Sequence, residues 1–184
     1  MPAERTDEQL IAAFAKGDTS CLGELAQRYE ELLFGLARGL LSGRDDLAMD
    51  AVQEAWVRVI RYARHFEGKS SVRTWLYRIV VNKCHDLRTS NARLLNVVRK
   101  AALSAKLLEN DDRPASNASS DEELARMLDA MPDNARLILL LCHHRGLTNE
   151  QAADVLGIPV GTLKSRQHAA LQQLREIAAK EARP

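Results

Sequence analysis

The chain has 184 residues, enough for one medium domain or two small ones. A net charge of +1 and an aromatic content of 4% accompany abundant Ala, Leu and Arg, a mixture that favours helices. No apolar run approaches the ~20 residues of a membrane span, and Met1-Pro2-Ala3-Glu4-Arg5-Thr6-Asp7 has no signal core, so a cytoplasmic protein without membrane insertion is expected.

Thr6 and Gln9 form a capping box ahead of Leu10, Ile11, Ala13 and Phe14, predicting a first helix that Gly17 ends. Asp18 can cap a second, with Leu22, Leu25, Tyr29, Leu32, Leu33, Leu36 and Leu40 at helical spacing. Ser42-Gly43-Arg44-Asp45-Asp46 breaks it. Leu47, Val52, Ala55, Trp56, Val59, Ile60 and Ala63 predict a third amphipathic helix, and His65 to Ser71 a loop. Val72, Trp75, Leu76, Ile79, Val80 and Leu87 mark a fourth, continuing weakly past Arg93.

From Leu108 to Ser120 the only apolar residues besides that first leucine are two alanines, so the stretch cannot bury enough surface to order itself. Ser120 and Glu123 then cap a helix over Leu124, Met127 and Leu128; Pro132 and Asp133 open another containing Ile138, Leu139, Leu141 and Cys142. The expected fold is all-α: two small helical domains, 1–95 and 121–184, joined by a flexible linker, 96–120.

The C-terminal domain reads as a helix-turn-helix. Gly146 can end one helix in the left-handed region, and Thr148 with Gln151 forms a second capping box. Ala152 and Ala153 allow a close helix crossing, Gly157 supplies the turn, and Pro159 suits a helix start. Leu163 then points inward and leaves Thr162, Lys164, Ser165 and Arg166 to face a groove. A helix presented this way is the usual reader of the DNA major groove.

The small net charge hides a segregation. Between Val57 and Lys100 a run of arginines and lysines is opposed by Glu67 and Asp86 alone; Ser104 to Glu123 is mainly acidic. A basic block of this kind suits either a polyanion or a solvated helix face. Cys21, Cys84 and Cys142 suit reduced, packed thiols. Cys84-His85-Asp86 and Cys142-His143-His144 do not converge on one centre, because consecutive helix residues point about 100° apart. No cofactor, metal site or catalytic residue is expected.

Separated segments resemble one family. Asp50-Ala51-Val52-Gln53-Glu54-Ala55-Trp56 resembles its D-x-V-Q-E-x-F/W motif, and the run from Phe66 through Gly68, Ser70, Ser71 and Arg73-Thr74-Trp75-Leu76-Tyr77-Arg78-Ile79 to Asn82 resembles its F-x-G-x-S-S-F-R-T-W-L-Y-R-I-A-x-N segment. Ile158-Pro159-Val160-Gly161-Thr162-Leu163-Lys164-Ser165-Arg166 is similar to its I-P-V-G-T-V-K-S-R signature. This is the pattern of bacterial extracytoplasmic-function (ECF) sigma factors, small two-domain members of the sigma-70 family. The resemblance covers nearly the whole chain except the linker.

It implies that the N-terminal domain binds the clamp helices of the RNA polymerase core and captures and melts the −10 element of promoter DNA. The C-terminal domain would bind the polymerase flap and read the −35 element. Asp50, Gln53 and Glu54 would contact polymerase. Phe66, Gly68, Lys69, Ser70 and Ser71 form the implied base-capturing loop, with Asn82 on the neighbouring helix. Base capture offsets an unstacking cost of a few kcal/mol and needs a pocket and nearby cations, not a covalent catalyst. Arg73, Arg78, Lys83 and Arg88 are candidate phosphate contacts. Trp75 falls in the core register; Tyr77 is open between core and stacking.

Thr162, Lys164, Ser165 and Arg166 are the expected −35 contacts, Arg being suited to a guanine edge and Lys to phosphate. Two departures stand out. Val72 replaces the family's usual Phe, and Gln167-His168-Ala169-Ala170 replaces a run of basic residues, which would release fewer counterions at the −35 element. An anti-sigma factor is an expected partner by family habit. Two other readings remain: a stand-alone helix-turn-helix regulator, and a sigma mimic that sequesters an anti-sigma factor without touching DNA.

Overall fold

The computed structural model describes the backbone of residues 5–105, 120–144 and 146–181, with side chains at 5–90, 123–143 and 146–181. Its order is α1 (Asp7–Ala15), α2 (Ser20–Leu40), α3 (Asp45–Tyr62), a 3-10 turn (Ala63–His65), α4 (Val72–Ala105), α5 (Ser120–Asp129), α6 (Asp133–Leu139), a π-helical turn (Leu140–His144), α7 (Asn149–Leu156) and α8 (Val160–Glu181). There is no strand among the described residues, and no described helix is long and apolar enough to cross a membrane.

The boundaries follow the local chemistry. Thr6 Oγ1 accepts the Gln9 N–H at 3.2 Å while Gln9 Oε1 accepts the Thr6 N–H at 2.9 Å, so α1 starts on a complete capping box. Asp18 Oδ1 accepts the Ser20 N–H at 3.2 Å at the head of α2. Ser42 at φ 56° and Gly43 at φ 72° turn the chain between α2 and α3.

The N-terminal core lies where α1, α2, α3 and the first half of α4 meet. Leu10, Leu25, Leu33, Leu36, Val59, Val72, Leu76 and Val80 are all sealed from solvent there. Each such side chain contributes about 1.5–3 kcal/mol by leaving water. Tyr77 is also fully buried, which settles its register as core. Ile60 departs from expectation: it lies 51% exposed on the outer face of α3, because Val59 and Ala63 already fill the inward positions. Leu124 is likewise exposed, leaving Leu128 and Met131 to anchor α5 against α8.

Two larger differences concern the linker and the arrangement of the domains. The backbone stays helical to Ala105, well past the expected boundary at 95, because nothing in 96–105 breaks a helix; 106–119, including most of the expected linker, lies outside the described residues. The domains also pack together. α4 lies against α7, and α2 against α6 and the π-helical turn. Ile138, Leu140, Leu141, Leu147, Ala152, Ala153, Val155 and Leu163 join the N-terminal residues in one continuous apolar core.

Arg136 is the polar element of this junction. Its side chain is 3% exposed and pairs with the Asp129 carboxylate at 2.9 Å. It also donates to the Asp129 carbonyl at 2.8 Å and, across the domains, to Ser42 Oγ at 2.9 Å. Burial pulls its guanidinium below the ordinary arginine range. Sequence reasoning passed over it, since an arginine in an amphipathic helix normally faces water.

Candidate nucleic-acid interface

The loop from Phe66 to Ser71 is held at both ends. Phe66 packs on Trp75, ring centroids 5.1 Å apart, so both aromatics are used in fixing the loop to α4. Gly68 takes φ 68°, a left-handed turn that glycine adopts without the strain a Cβ brings. Lys69 is the most exposed charge of the loop and pairs with Glu67.

The two serines differ. Ser71 is the cap of α4: its Oγ accepts the Thr74 N–H at 3.1 Å and hydrogen-bonds the Thr74 hydroxyl at 2.9 Å. Glu8 of α1 accepts the adjacent Val72 N–H at 3.3 Å, so a side chain from the first helix also satisfies the start of α4. Ser70 stands half-exposed beside this cap without joining it. The Ser71 cap was readable from Ser-x-x-Thr before an apolar run; the Glu8 contact, across more than sixty residues, had no local signal.

Among the described side chains, the cations of α4 do not form one patch. Arg73 is half-buried, its guanidinium carbon 5.7 Å from the Tyr77 ring centroid, in a cleft it shares with Asp7, Arg28 and Tyr29. Arg78 is five positions on, roughly 140° around the helix, and faces α7. Asn82 is exposed one turn after Arg78. Lys83 points towards α3, its Nζ 4.0 Å from the Glu54 carboxylate. The structure therefore brings Arg78 and Asn82 to one side and separates Arg73 and Lys83 from them.

Asp50, Gln53 and Glu54 are all exposed on α3. Gln53 lines a shallow groove between α2 and α3 with Phe34, Met49 and Val52. Met49, Val57 and Ile60 continue that face at helical spacing, between 48% and 53% exposed. A large apolar stripe beside charged residues marks a surface for another protein. The sequence signal was available in Met49 and Val57, which no inward register explains.

In the C-terminal domain the reader is built as its sequence predicts. Thr148 and Gln151 complete their capping box. Gly157 ends α7 at φ 64°, in the left-handed region. Pro159 precedes α8 and its carbonyl accepts the Leu163 N–H at 3.0 Å. Leu163 is fully buried, which turns Lys164, Ser165 and Arg166 outward, all exposed, with Thr162 half-buried beside them. Ser165 Oγ donates to the Gly161 carbonyl at 3.1 Å. Gln167, the first of the residues that replace the family's basic run, has its side-chain nitrogen 3.1 Å from His143 Nε2 and ties α8 to the π-helical turn.

No cluster of metal-ligating side chains occurs among the described residues. Burial raises the Cys84 thiol to about 12, so at neutral pH it is a protonated, packed side chain.

Comparisons with known proteins identify the family and the fold. Residues 25–94 match the family model of Sigma-70 region 2, and residues 127–176 that of Sigma-70, region 4. The chain is 30% identical over 175 residues to the ECF RNA polymerase sigma-E factor of Escherichia coli strain K12, spanning 90% of this chain and 91% of that protein. It is 29% identical over 175 residues to the ECF RNA polymerase sigma-E factor of Haemophilus influenzae, spanning 90% and 92%. In fold it is similar to CnrH in its complex with the cytosolic domain of CnrY, with a TM-score of 0.72 at 24% identity over 96% of this chain and 99% of that one. It is similar also to the sigma factor RpoE bound to the anti-sigma factor NepR from Bartonella quintana, with a TM-score of 0.68 at 24% identity over 88% and 98%.

Proposed function

The chain belongs to the ECF RNA polymerase sigma factors of the sigma-70 family, and from that premise we propose that it directs promoter-specific initiation by binding core polymerase and two promoter elements. The observation that carries this reading is the match to a sigma-E factor across 90% of the chain. It acts on polymerase in the cytoplasm, with no catalytic step of its own.

Polymerase contact is assigned to Asp50, Gln53 and Glu54 together with the exposed apolar stripe of Met49, Val57 and Ile60. The apolar part supplies binding energy; the charged rim steers orientation. The −10 surface is the Phe66–Ser71 loop with Arg78 and Asn82. Within that loop Ser70 is free to meet a base, while Ser71 holds the helix start in place. The −35 surface is Lys164, Ser165 and Arg166 on α8, with Thr162 near the helix N-terminus, where a phosphate is favoured. An anti-sigma factor is the expected inhibitor, in keeping with the RpoE–NepR complex of a similar fold.

Run-off transcription with purified core polymerase tests the reading. A promoter-dependent transcript that requires the chain supports it. Tight binding of duplex DNA without polymerase and without transcripts would instead establish a stand-alone regulator. Capture of an anti-sigma factor with no transcript from any promoter would establish a mimic.

A further inference from the structure

The outer face of α3 is apolar along its middle and changes sign of charge from one end to the other. Met49, Val57 and Ile60 stand on it between 48% and 53% exposed, with exposed Gln53 among them, so 49, 53, 57 and 60 form one stripe at helical spacing. Along one flank of the stripe Asp50 and Glu54 come first, Arg58 and Arg61 after them. The helix dipole favours acid at the start of a helix and base at its end, but it acts within the first and last turns and does not account for Glu54 and Arg58 at the centre. Those two are four apart, the spacing of an intrahelical pair. Yet Glu54 instead approaches Lys83, at 4.0 Å, and Asp50, Arg58 and Arg61 form no ion pair among the described residues.

We propose that this face pairs with a second copy of the chain, α3 against α3 and antiparallel, because its pattern is its own complement. In a two-fold contact residue i meets j and j meets i. With the axis near Ala55, Met49 meets Ile60 of the second copy and Gln53 meets its Val57. On the flank, Asp50 meets Arg61 of the second copy and Glu54 meets its Arg58. Each of these contacts occurs twice. Antiparallel helices turn the same flank towards each other, so both acids find arginines; a parallel pair would set like charge against like. Met49 also lines the groove that holds Phe34 of α2, so Ile60 of the second copy lands beside an apolar floor.

One helix face from each copy makes a small interface, so the association is weak, with a dissociation constant above about 1 μM. The apolar stripe supplies the hold and the charged flank the orientation. Self-association stands on α3 alone and needs no polymerase. Its consequence rests on the reading above, that Asp50, Gln53 and Glu54 meet polymerase. The second copy and the polymerase then exclude one another, and the apparent affinity for core falls with the fraction of chain left monomeric.

Analytical ultracentrifugation of the full chain, without polymerase, tests the pairing. The average mass should rise from monomer towards dimer as the chain is concentrated to about 1 mM, the weak end of measurable affinity. Added salt should reduce the rise. Ile60→Asp changes an exposed residue and should leave a folded monomer. Asp50→Lys with Glu54→Lys, and separately Arg58→Glu with Arg61→Glu, should each weaken self-association by about tenfold or more, four flank pairs each being worth up to a few-fold at low salt. Mixed in equal amounts, the two charge-reversed chains should pair with each other at least as tightly as the parent pairs with itself, a rescue that a folding defect cannot imitate. A parent that stays monomeric throughout overturns the proposal. So does association that persists in Ile60→Asp, or a failure of the charge-reversed chains to pair. Self-association with all these properties that core polymerase does not compete away upholds the dimer and rejects α3 as the polymerase face.

Discussion

The two helices proposed to meet DNA are presented differently. α8 follows a glycine turn, buries Leu163 and turns Lys164, Ser165 and Arg166 to open solvent. α4 follows a capped loop, yet Arg78 and Arg88 are engaged by carboxylates of the other domain. The difference comes from packing demand. α8 needs one stripe for its own small domain, whereas α4 is central, with buried residues facing α1, α2 and α3 on one side and α7 on another. A basic helix in the middle of a molecule has fewer faces left for a ligand than one at its edge.

The largest predicted effect strikes the bolt between the two regions. Arg136→Ala should lower stability by about 3 kcal/mol, the lower end of what breaking a buried pair costs, since Asp129 is left partly hydrated. Urea denaturation followed by circular dichroism measures it. A loss under 1 kcal/mol would mean that the apolar junction around Leu140 holds the domains without help from the guanidinium.

Next comes the open reader. Arg166→Ala or Lys164→Ala should weaken binding to a −35 duplex by about 1–3 kcal/mol where the side chain reads a base. A residue that holds only phosphate should instead weaken all sequences evenly and flatten the salt slope by about one. Because Lys164 and Arg166 are exposed with the domains together, the intact chain should show these losses directly. Unchanged binding in both variants would show that the reader is covered in the free chain.

A smaller effect separates the two serines of the loop proposed to meet the −10 element. Ser71→Ala removes a helix cap and should cost about 1 kcal/mol of thermal stability. Ser70→Ala should leave stability unchanged, and a bulky replacement such as Ser70→Trp should impair open-complex formation by permanganate footprinting while core binding holds.

What the sequence made legible follows the same division between local and distant chemistry. The capping boxes at Thr6 and Thr148, the left-handed Gly146 and Gly157 and the buried Leu163 were all readable, because each depends on residues within one or two turns. Ile60 was misplaced because the apolar period of α3 is wider than its core face. Its surplus apolar side chains, Met49, Val57 and Ile60, serve an outer surface. The docking of the domains was not legible. Arg78 with Asp154 and Arg136 with Ser42 pair residues far apart in the chain, and neither member of a pair carries a local sign of the other.

The smallest prediction compares one carboxylate from each region. Asp18 is held down to about 2, first by the Ser20 hydroxyl, then by the Cys21 thiol, with Arg5 adding a further hydrogen bond. Glu150 in α7 is held below the usual carboxylate range by its own backbone N–H and by Thr148. An unfolded aspartate titrates near ~3.9. A depressed native value means that the stabilisation from Asp18 is fully present above that pH and is lost as pH falls towards about 2. Asp18→Asn keeps an acceptor oxygen for Ser20 but not the charge. Its melting temperature should lie slightly below that of the parent at pH 6, and the two should converge as pH falls from 4 to 2. Both carboxylates are exposed, so the gap stays small. Convergence for Glu150→Gln but not for Asp18→Asn would mean that the acid limb belongs to the C-terminal domain, and that the corner joining α1 to α2 is held by its backbone and core alone.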